Sequence, residues 1–148
     1  MKIIAHRGNI RGKTIFENDP SYIREALKEG YDVEIDIRLC DNLLKLGHDT
    51  PQCPCPEEFF TDPNVWFHAK DINTLGAILK STHCFIHDRD EATLTSKGYI
   101  WVYPGKLLVR GCVSVLPEQG DYSNTELTLC AALCTDYAEK YRDIFNKE

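Results

Sequence analysis

Residues 31–38, Tyr-Asp-Val-Glu-Ile-Asp-Ile-Arg, alternate charged and apolar side chains without a break. Strict alternation is the period of a β-strand, so Val33, Ile35 and Ile37 share one face and Asp32, Glu34 and Asp36 the other. Three carboxylates in line repel one another unless water or a cation relieves them. The segment is therefore either a strand with its acidic face in solvent, as in many antiparallel sheets, or a strand whose acids gather round positive charge. The segments on either side favour the second reading. Met1-Lys2-Ile3-Ile4-Ala5-His6 is an apolar strand running into His6-Arg7-Gly8. Leu43 to Leu46, sent back by the turn dipeptide Asp41-Asn42, runs into Gly47-His48-Asp49. Two imidazoles, a carboxylate pair and a guanidinium thus fall within fifty residues. Together they supply an acid/base pair, a hard-cation site and a phosphate anchor.

Helix signals punctuate the strands. Asp19-Pro20 offers an N-cap and a first-turn proline, and Gly30 offers a stop, so a helix is predicted over 20–29 with Ile23, Ala26 and Leu27 on its buried side. Thr50 to Asp62 carries Pro51, Pro54 and Pro56 and reads as loop. Val65 to Ala69 reads as a strand feeding a helix capped by Asp71 or Asn73, with Leu75, Ile78 and Leu79 buried. Further strands are predicted over 83–87, 99–103, 112–116 and 131–135, the last feeding a helix over 136–145, with no helix signal between 87 and 99. Strands separated by helices or long crossovers imply a mostly parallel α/β sheet, and such folds place their chemistry at the strand C-termini.

The 148 residues suit one domain, 1–148, well short of the roughly 250 residues of a full (β/α)8 barrel. No apolar run approaches the ~18 residues of a membrane span. A net charge of -6 and a pI of about 5.4 argue against nucleic acid as a partner, which calls for a basic patch. Without an export signal, the seven cysteines are expected as reduced thiols in the cytoplasm. Cys84, Cys112, Cys130 and Cys134 lie in apolar segments and read as core residues. Cys53-Pro54-Cys55-Pro56 is a rigid loop or, less readily, a soft-metal clip with no second ligand pair nearby.

Ile4-Ala5-His6-Arg7-Gly8, Glu17-Asn18, Glu34-Ile35-Asp36 and His48-Asp49, in that order and spacing, resemble the glycerophosphodiester phosphodiesterase family, whose relatives include the sphingomyelinase D enzymes. Leu133-Cys134-Thr135-Asp136-Tyr137 is similar to that family's closing strand, where a Thr-Asp pair precedes the last helix. The resemblance implies a TIM-type barrel, here reduced, with several outer helices shortened or missing. It implies His6 and His48 as the acid/base pair, Arg7 on the phosphate, and Glu34 and Asp36 on a divalent metal, Mg²⁺ or Ca²⁺. Histidine suits proton transfer near neutrality, and paired carboxylates suit hard cations.

The chain departs from the family in two places. A family Glu-x-Lys or Asp-x-Lys on the third strand is here His68-Ala69-Lys70, which keeps the phosphate-side lysine and offers an imidazole as third ligand. That makes Mn²⁺ plausible beside Mg²⁺. The usual Pro-Glu-Asn-Thr is here Phe16-Glu17-Asn18-Asp19, so Glu17 and Asn18 are expected to support the site. His87 and Asp90 follow a later strand and are expected on the substrate side, with Asp49 and Glu118 supporting. His83 opens its strand and should sit at the other end, in a structural role. Trp101 reads as core, and Tyr103 as a pocket wall. The expected function is metal-dependent cleavage of a small-molecule phosphodiester, of glycerophosphodiester, sugar or polyol type, with hydrolysis or cyclic-phosphate release left open. A phosphate-binding barrel without turnover, or a domain whose histidines are only structural, are the alternatives.

Overall fold

The computed structural model describes residues 1–146. The elements run β1 (Lys2–His6), α1 (Pro20–Lys28), β2 (Asp32–Cys40), β3 (Leu43–Leu46), β4 (Cys53–Pro54), α2 (Glu57–Thr61), β5 (Val65–Ala69), α3 (Ile72–Ile78), β6 (His83–Ile86), β7 (Ala92–Leu94), β8 (Ile100–Val102), β9 (Val113–Val115), a 3-10 turn (Pro117–Gln119), α4 (Asn124–Leu127), β10 (Ala132–Thr135) and α5 (Ala138–Phe145). No helix among the described residues is long and apolar enough to cross a membrane.

The strands form one mixed, curled sheet. β6, β5, β2, β1, β10, β9 and β8 lie side by side in that order, all parallel, while β3, β4 and β7 are antiparallel additions. Its curl is read from aromatic rings at its two ends that meet across the inner face: Phe85 of β6 lies 4.2 Å from Trp101 of β8, centroid to centroid. No strand ladder joins β6 to β8 among the described residues, so the sheet is not a complete TIM barrel. A loop closes part of the gap, with Ser96 N–H donating to Cys84 C=O at 2.8 Å.

The alternation in β2 has a definite physical outcome. Val33, Ile35 and Ile37 face outward into the apolar layer beneath α1, α3 and α5, where Ile23, Ala26, Ile78, Ala138 and Tyr141 are buried. Asp32, Glu34 and Asp36 face inward, and all three are buried. Asp32 is neutralised low on the inner face, where Lys2 Nζ at 2.8 Å and the Trp66 indole N–H at 2.7 Å both reach its Oδ2. Above it Ile4, Trp66, Phe85, Trp101, Val113 and Cys134 fill the inner face. Glu34 and Asp36 stand above this plug, level with the ends of β1 and β5, since Glu34 pairs with His6 and Asp36 with His68.

Local signals explain most elements. Asp19 caps α1 by accepting from Ser21 N–H and Tyr22 N–H, and Gly30 ends it with φ +89°. Asp41 and Asn42 both take positive φ, the geometry of the tight hairpin turn that their side chains tolerate. Three expectations change. The 50–62 segment is not all loop: it holds β4 and α2, which buries Phe59. In α3 the buried residues are Thr74 and Ile78, because the helix stops at Ile78 and leaves Leu79 half exposed. Between 87 and 99 the chain makes β7, paired antiparallel with β8 in place of an outer helix.

The β2–β3 hairpin is what brings His48 to the C-terminal end of the sheet. β1 pairs with β2 only as far as His6↔Glu34, and β3 takes the same edge beyond it, from Ile37↔Leu46 to Cys40↔Leu43. Gly47 N–H then donates to Asp36 C=O at 3.1 Å. A Cβ on Gly47, whose φ is +143°, would sit 2.0 Å from Thr50 C=O. Gly47→Ala is therefore expected to cost about 1–3 kcal/mol in urea unfolding. Gly98→Ala, also at positive φ but with open space around it, should cost only the left-handed backbone strain, about 1 kcal/mol. Equal costs would contradict this account of the turn.

Candidate active site

His6 at the end of β1, His48 after β3 and His68 near the end of β5 line one cleft of ≈ 340 Å³. Each has one ring nitrogen tied to an acceptor, which orients the ring and turns the other nitrogen into the cleft or toward its acids. His6 Nδ1–H donates to Asp136 Oδ1 at 2.7 Å, and its Nε2 lies 3.8 Å from Glu34 Oε2. His48 Nδ1–H donates to Asp49 Oδ1 at 2.7 Å. His68 Nε2–H donates to the His87 carbonyl at 3.0 Å, so Nδ1 faces Glu34 Oε1 at 3.5 Å and Asp36 Oδ1 at 3.3 Å.

Asp36 is the hub. Its Oδ2 lies 2.9 Å from Arg7 Nε and accepts from Asn18 Nδ2 at 2.9 Å, while Asn18 Oδ1 accepts from Asp36 N–H at 2.9 Å. Its Oδ1 is buried without a hydrogen bond, with Lys70 Nζ at 3.4 Å. Arg7 reaches back to Asp36 because its own backbone is left-handed, φ +54°, at the strand-to-loop turn. Glu17 braces the same turn by accepting from Arg7 Nη1 at 3.1 Å and Asn9 Nδ2 at 2.8 Å.

These neighbours set the protonation states. Burial alone would raise the Asp36 pKa, but the His68 ring 3.3 Å away and the Arg7 and Lys70 charges outweigh it and hold the carboxyl well below the usual carboxylate range. Burial alone would lower the His68 pKa, but Asp36 and Glu34 push it up to about 9. His6 is likewise raised against burial by its hydrogen bond to Asp136 and the charge of Glu34. Asp136 is lowered in turn, because the His6 hydrogen bond overcomes its own burial.

Glu34, Asp36 and His68 present one ligand atom each, all within 4.8 Å of one another. Two further observations suit a cation: the orphaned Asp36 Oδ1, and a His68 ring turned by a backbone carbonyl so that its neutral form aims a lone pair at the two acids.

Among the other expected site residues, Arg7, Lys70 and His87 line the cleft. Asp90 does not. Its side chain is exposed and only its carbonyl takes part, accepting from His87 Nε2 at 2.8 Å, and Asp88 is the acid on the cleft wall. Asp49 stays at the rim, with its side chain 91% exposed. Glu118 acts from behind, accepting from Asp136 N–H at 2.9 Å and Thr135 Oγ1 at 2.9 Å. Trp101 is buried and still touches the cleft, beside Tyr103 and Leu116. His83 lies at the other end of the sheet, bonded to Thr95 Oγ1 at 2.9 Å and packed on Trp66.

Sequence reasoning passed over Asp136 and Asn9 as site residues. The signal for Asp136 was available. β1 and β10 pair parallel, Ala5↔Thr135, so the residue after Thr135 stands beside His6. Asn9 Nδ2 bridges Asp136 Oδ1 at 2.8 Å and Glu17, a role no spacing announces. No protein-family model, no curated protein and no solved structure matches this chain.

The shifts of Asp36 and His68 at the cleft make stability depend on pH. Asp36, depressed in the folded state, contributes stability above the unfolded carboxylate value of about 4 that is lost as pH falls below it. His68, raised, contributes fully below its unfolded value of about 6.5, a contribution that is lost as pH rises toward about 9. His83, lowered to about 4 by burial, loses its contribution as pH falls below about 6.5, so in chelator the thermal midpoint should peak near pH 6.5 and fall on both sides. Asp36→Asn should flatten both limbs, since it removes the partner of His68 as well. Unchanged limbs in that variant would contradict the assignment.

Proposed function

We propose that this chain is a metal-dependent phosphodiesterase on a reduced TIM-type barrel, acting on a glycerophosphodiester or a sugar or polyol phosphodiester in the manner of the glycerophosphodiester phosphodiesterase family. The observation that carries the reading is the sharing of one cleft by two carboxylate-oriented histidines, a carboxylate–imidazole cluster and two cationic side chains. Cleaving a phosphodiester needs a proton taken on one side of phosphorus, a proton given on the other, and positive charge over the non-bridging oxygens.

His6 and His48 divide the proton work. Asp136 orients His6 and favours its charged form, so His6 is the better proton donor to a departing alkoxide, while His48 takes a proton through its free Nε2. Arg7 is held by Asp36 and Glu17, which leaves its remaining N–H donors for phosphate, and Lys70 adds a second charge at the same wall. A divalent cation held by Glu34, Asp36 and His68, such as Mg²⁺, Ca²⁺ or Mn²⁺, would polarise a non-bridging oxygen. The ≈ 340 Å³ cleft suits a small head group, with Trp101 and Tyr103 against its non-reacting part. Seven free cysteines suit a reducing, cytoplasmic setting.

Activity toward bis(p-nitrophenyl) phosphate and glycerophosphodiesters, with 31P NMR of the products, tests this and separates hydrolysis from cyclic-phosphate release. His6→Ala and His48→Ala should each lower turnover by about 10² to 10⁴ with the fold intact. A second reading, a phosphate binder without turnover, is favoured by one observation: Arg7 and Lys70 already neutralise Asp36. Phosphate binding with no metal-dependent cleavage of any of these substrates would establish the binder and refute the enzyme.

The metal reading has its own test in calorimetric titration. His68→Ala should weaken Mn²⁺ by more than about tenfold. His68→Glu should favour Mg²⁺ and Ca²⁺ over softer metals. Unchanged affinity in His68→Ala would remove His68 from the ligand set.

A further inference from the structure

Cys112, just before β9, and Cys130, just before β10, have no part in the cleft. Their sulfurs lie 3.6 Å apart in the apolar layer on the outer side of the sheet, among Leu108, Leu127 and Tyr122. Two backbone bonds hold the pair in register: Gly111 N–H donates to Leu129 C=O and Ala131 N–H to Cys112 C=O, both at 2.8 Å. The other five cysteines have no sulfur partner among the described hydrogen bonds, and Cys134, close by in sequence, faces the opposite side of the sheet.

We propose that Cys112 and Cys130 form a reversible disulfide when the protein meets a small peroxide. The Cys112 thiol is the more acidic, because Cys130 donates its S–H toward it, and the Cys130 thiol is pushed up correspondingly. The Cys112 thiolate attacks one oxygen of hydrogen peroxide, the O–O bond breaks, and hydroxide leaves as water after taking a proton. The Cys130 sulfur then attacks the resulting sulfenic sulfur, the S–S bond forms, the S–O bond breaks, and a second water carries off the Cys130 proton. The two thiols give up two electrons and one peroxide is reduced to two waters. Both cysteines are buried, so oxidant and reductant reach them only through local opening of the chain, and a small peroxide needs the smallest opening.

The link would staple the excursion between β9 and β10. That excursion includes the 3-10 turn and α4, supplies Leu116 and Gln119 to the cleft, and carries Glu118, which holds the backbone of Asp136. Oxidation therefore tightens the wall behind His6 rather than blocking the cleft.

Full-length protein treated with hydrogen peroxide, then denatured, alkylated and cleaved after Glu118 and Glu126, tests this by mass spectrometry, because those cuts separate the two cysteines. The expected result is a Cys112–Cys130 cross-link, a thiol titre lowered by two of the seven, and recovery with dithiothreitol. The thermal midpoint of oxidised wild type should rise above that of the reduced protein, with no such rise in Cys130→Ser. If that variant fails to fold, the wild-type peptide map decides alone. Both cysteines alkylated after peroxide, or a disulfide confined to Cys53 and Cys55, would overturn the proposal.

Discussion

A single buried carboxylate, Asp36, joins the parts of this molecule that matter for chemistry. It sits fully buried on β2, and its oxygens meet Arg7 and Asn18 from the loop after β1 and His68 and Lys70 from β5. Removing one partner of a buried ion pair costs about 3–5 kcal/mol, because the other charge is left without compensation. The loop after β1, the end of β5 and, through Gly47, the β2–β3 hairpin are thus all anchored to one side chain and its own backbone. The same arrangement balances charge in the absence of a metal, with His68 carrying the proton that a cation would displace.

Around that hub His6, His48 and His68 each have one ring nitrogen tied to an acceptor, but the acceptors are of unlike strength. Asp136 is buried and itself held by Glu118 and Asn9, so His6 is rigid. Asp49 is exposed, so His48 is held mainly by its turn, where Arg38 donates to the Gly47 and His48 carbonyls. Positive φ at Arg7, Asn18 and Leu116 concentrates backbone strain at this same end of the sheet, where the surrounding hydrogen bonds hold it in place.

Much of this was legible from sequence because it rests on short-range rules. Alternation over 31–38 fixed the two faces of β2, Asp19-Pro20 and Gly30 bounded α1, and Asp41-Asn42 demanded a hairpin. His6, His48 and Lys70 follow from these because each closes a strand, and Glu34 because it lies on the acidic face of β2. What escaped depends on distant pairing. The neutralisation of Asp32 by Lys2 and Trp66, and the partnership of His6 with Asp136 across 130 residues, need the sheet order. The second half, where outer helices give way to β7, a 3-10 turn and the short α4, carries weak local signals, and the placement of Asp90 failed there.

The central claim, that Glu34, Asp36 and His68 hold a divalent cation beside a catalytic imidazole, is tested most directly by NMR of the five histidine rings during titration with Mn²⁺. The account predicts that substoichiometric Mn²⁺ broadens His68 and His6 most and His83, at the other end of the sheet, least. Histidine signals that broaden together, or His68 remaining sharp at saturating Mn²⁺, would contradict it.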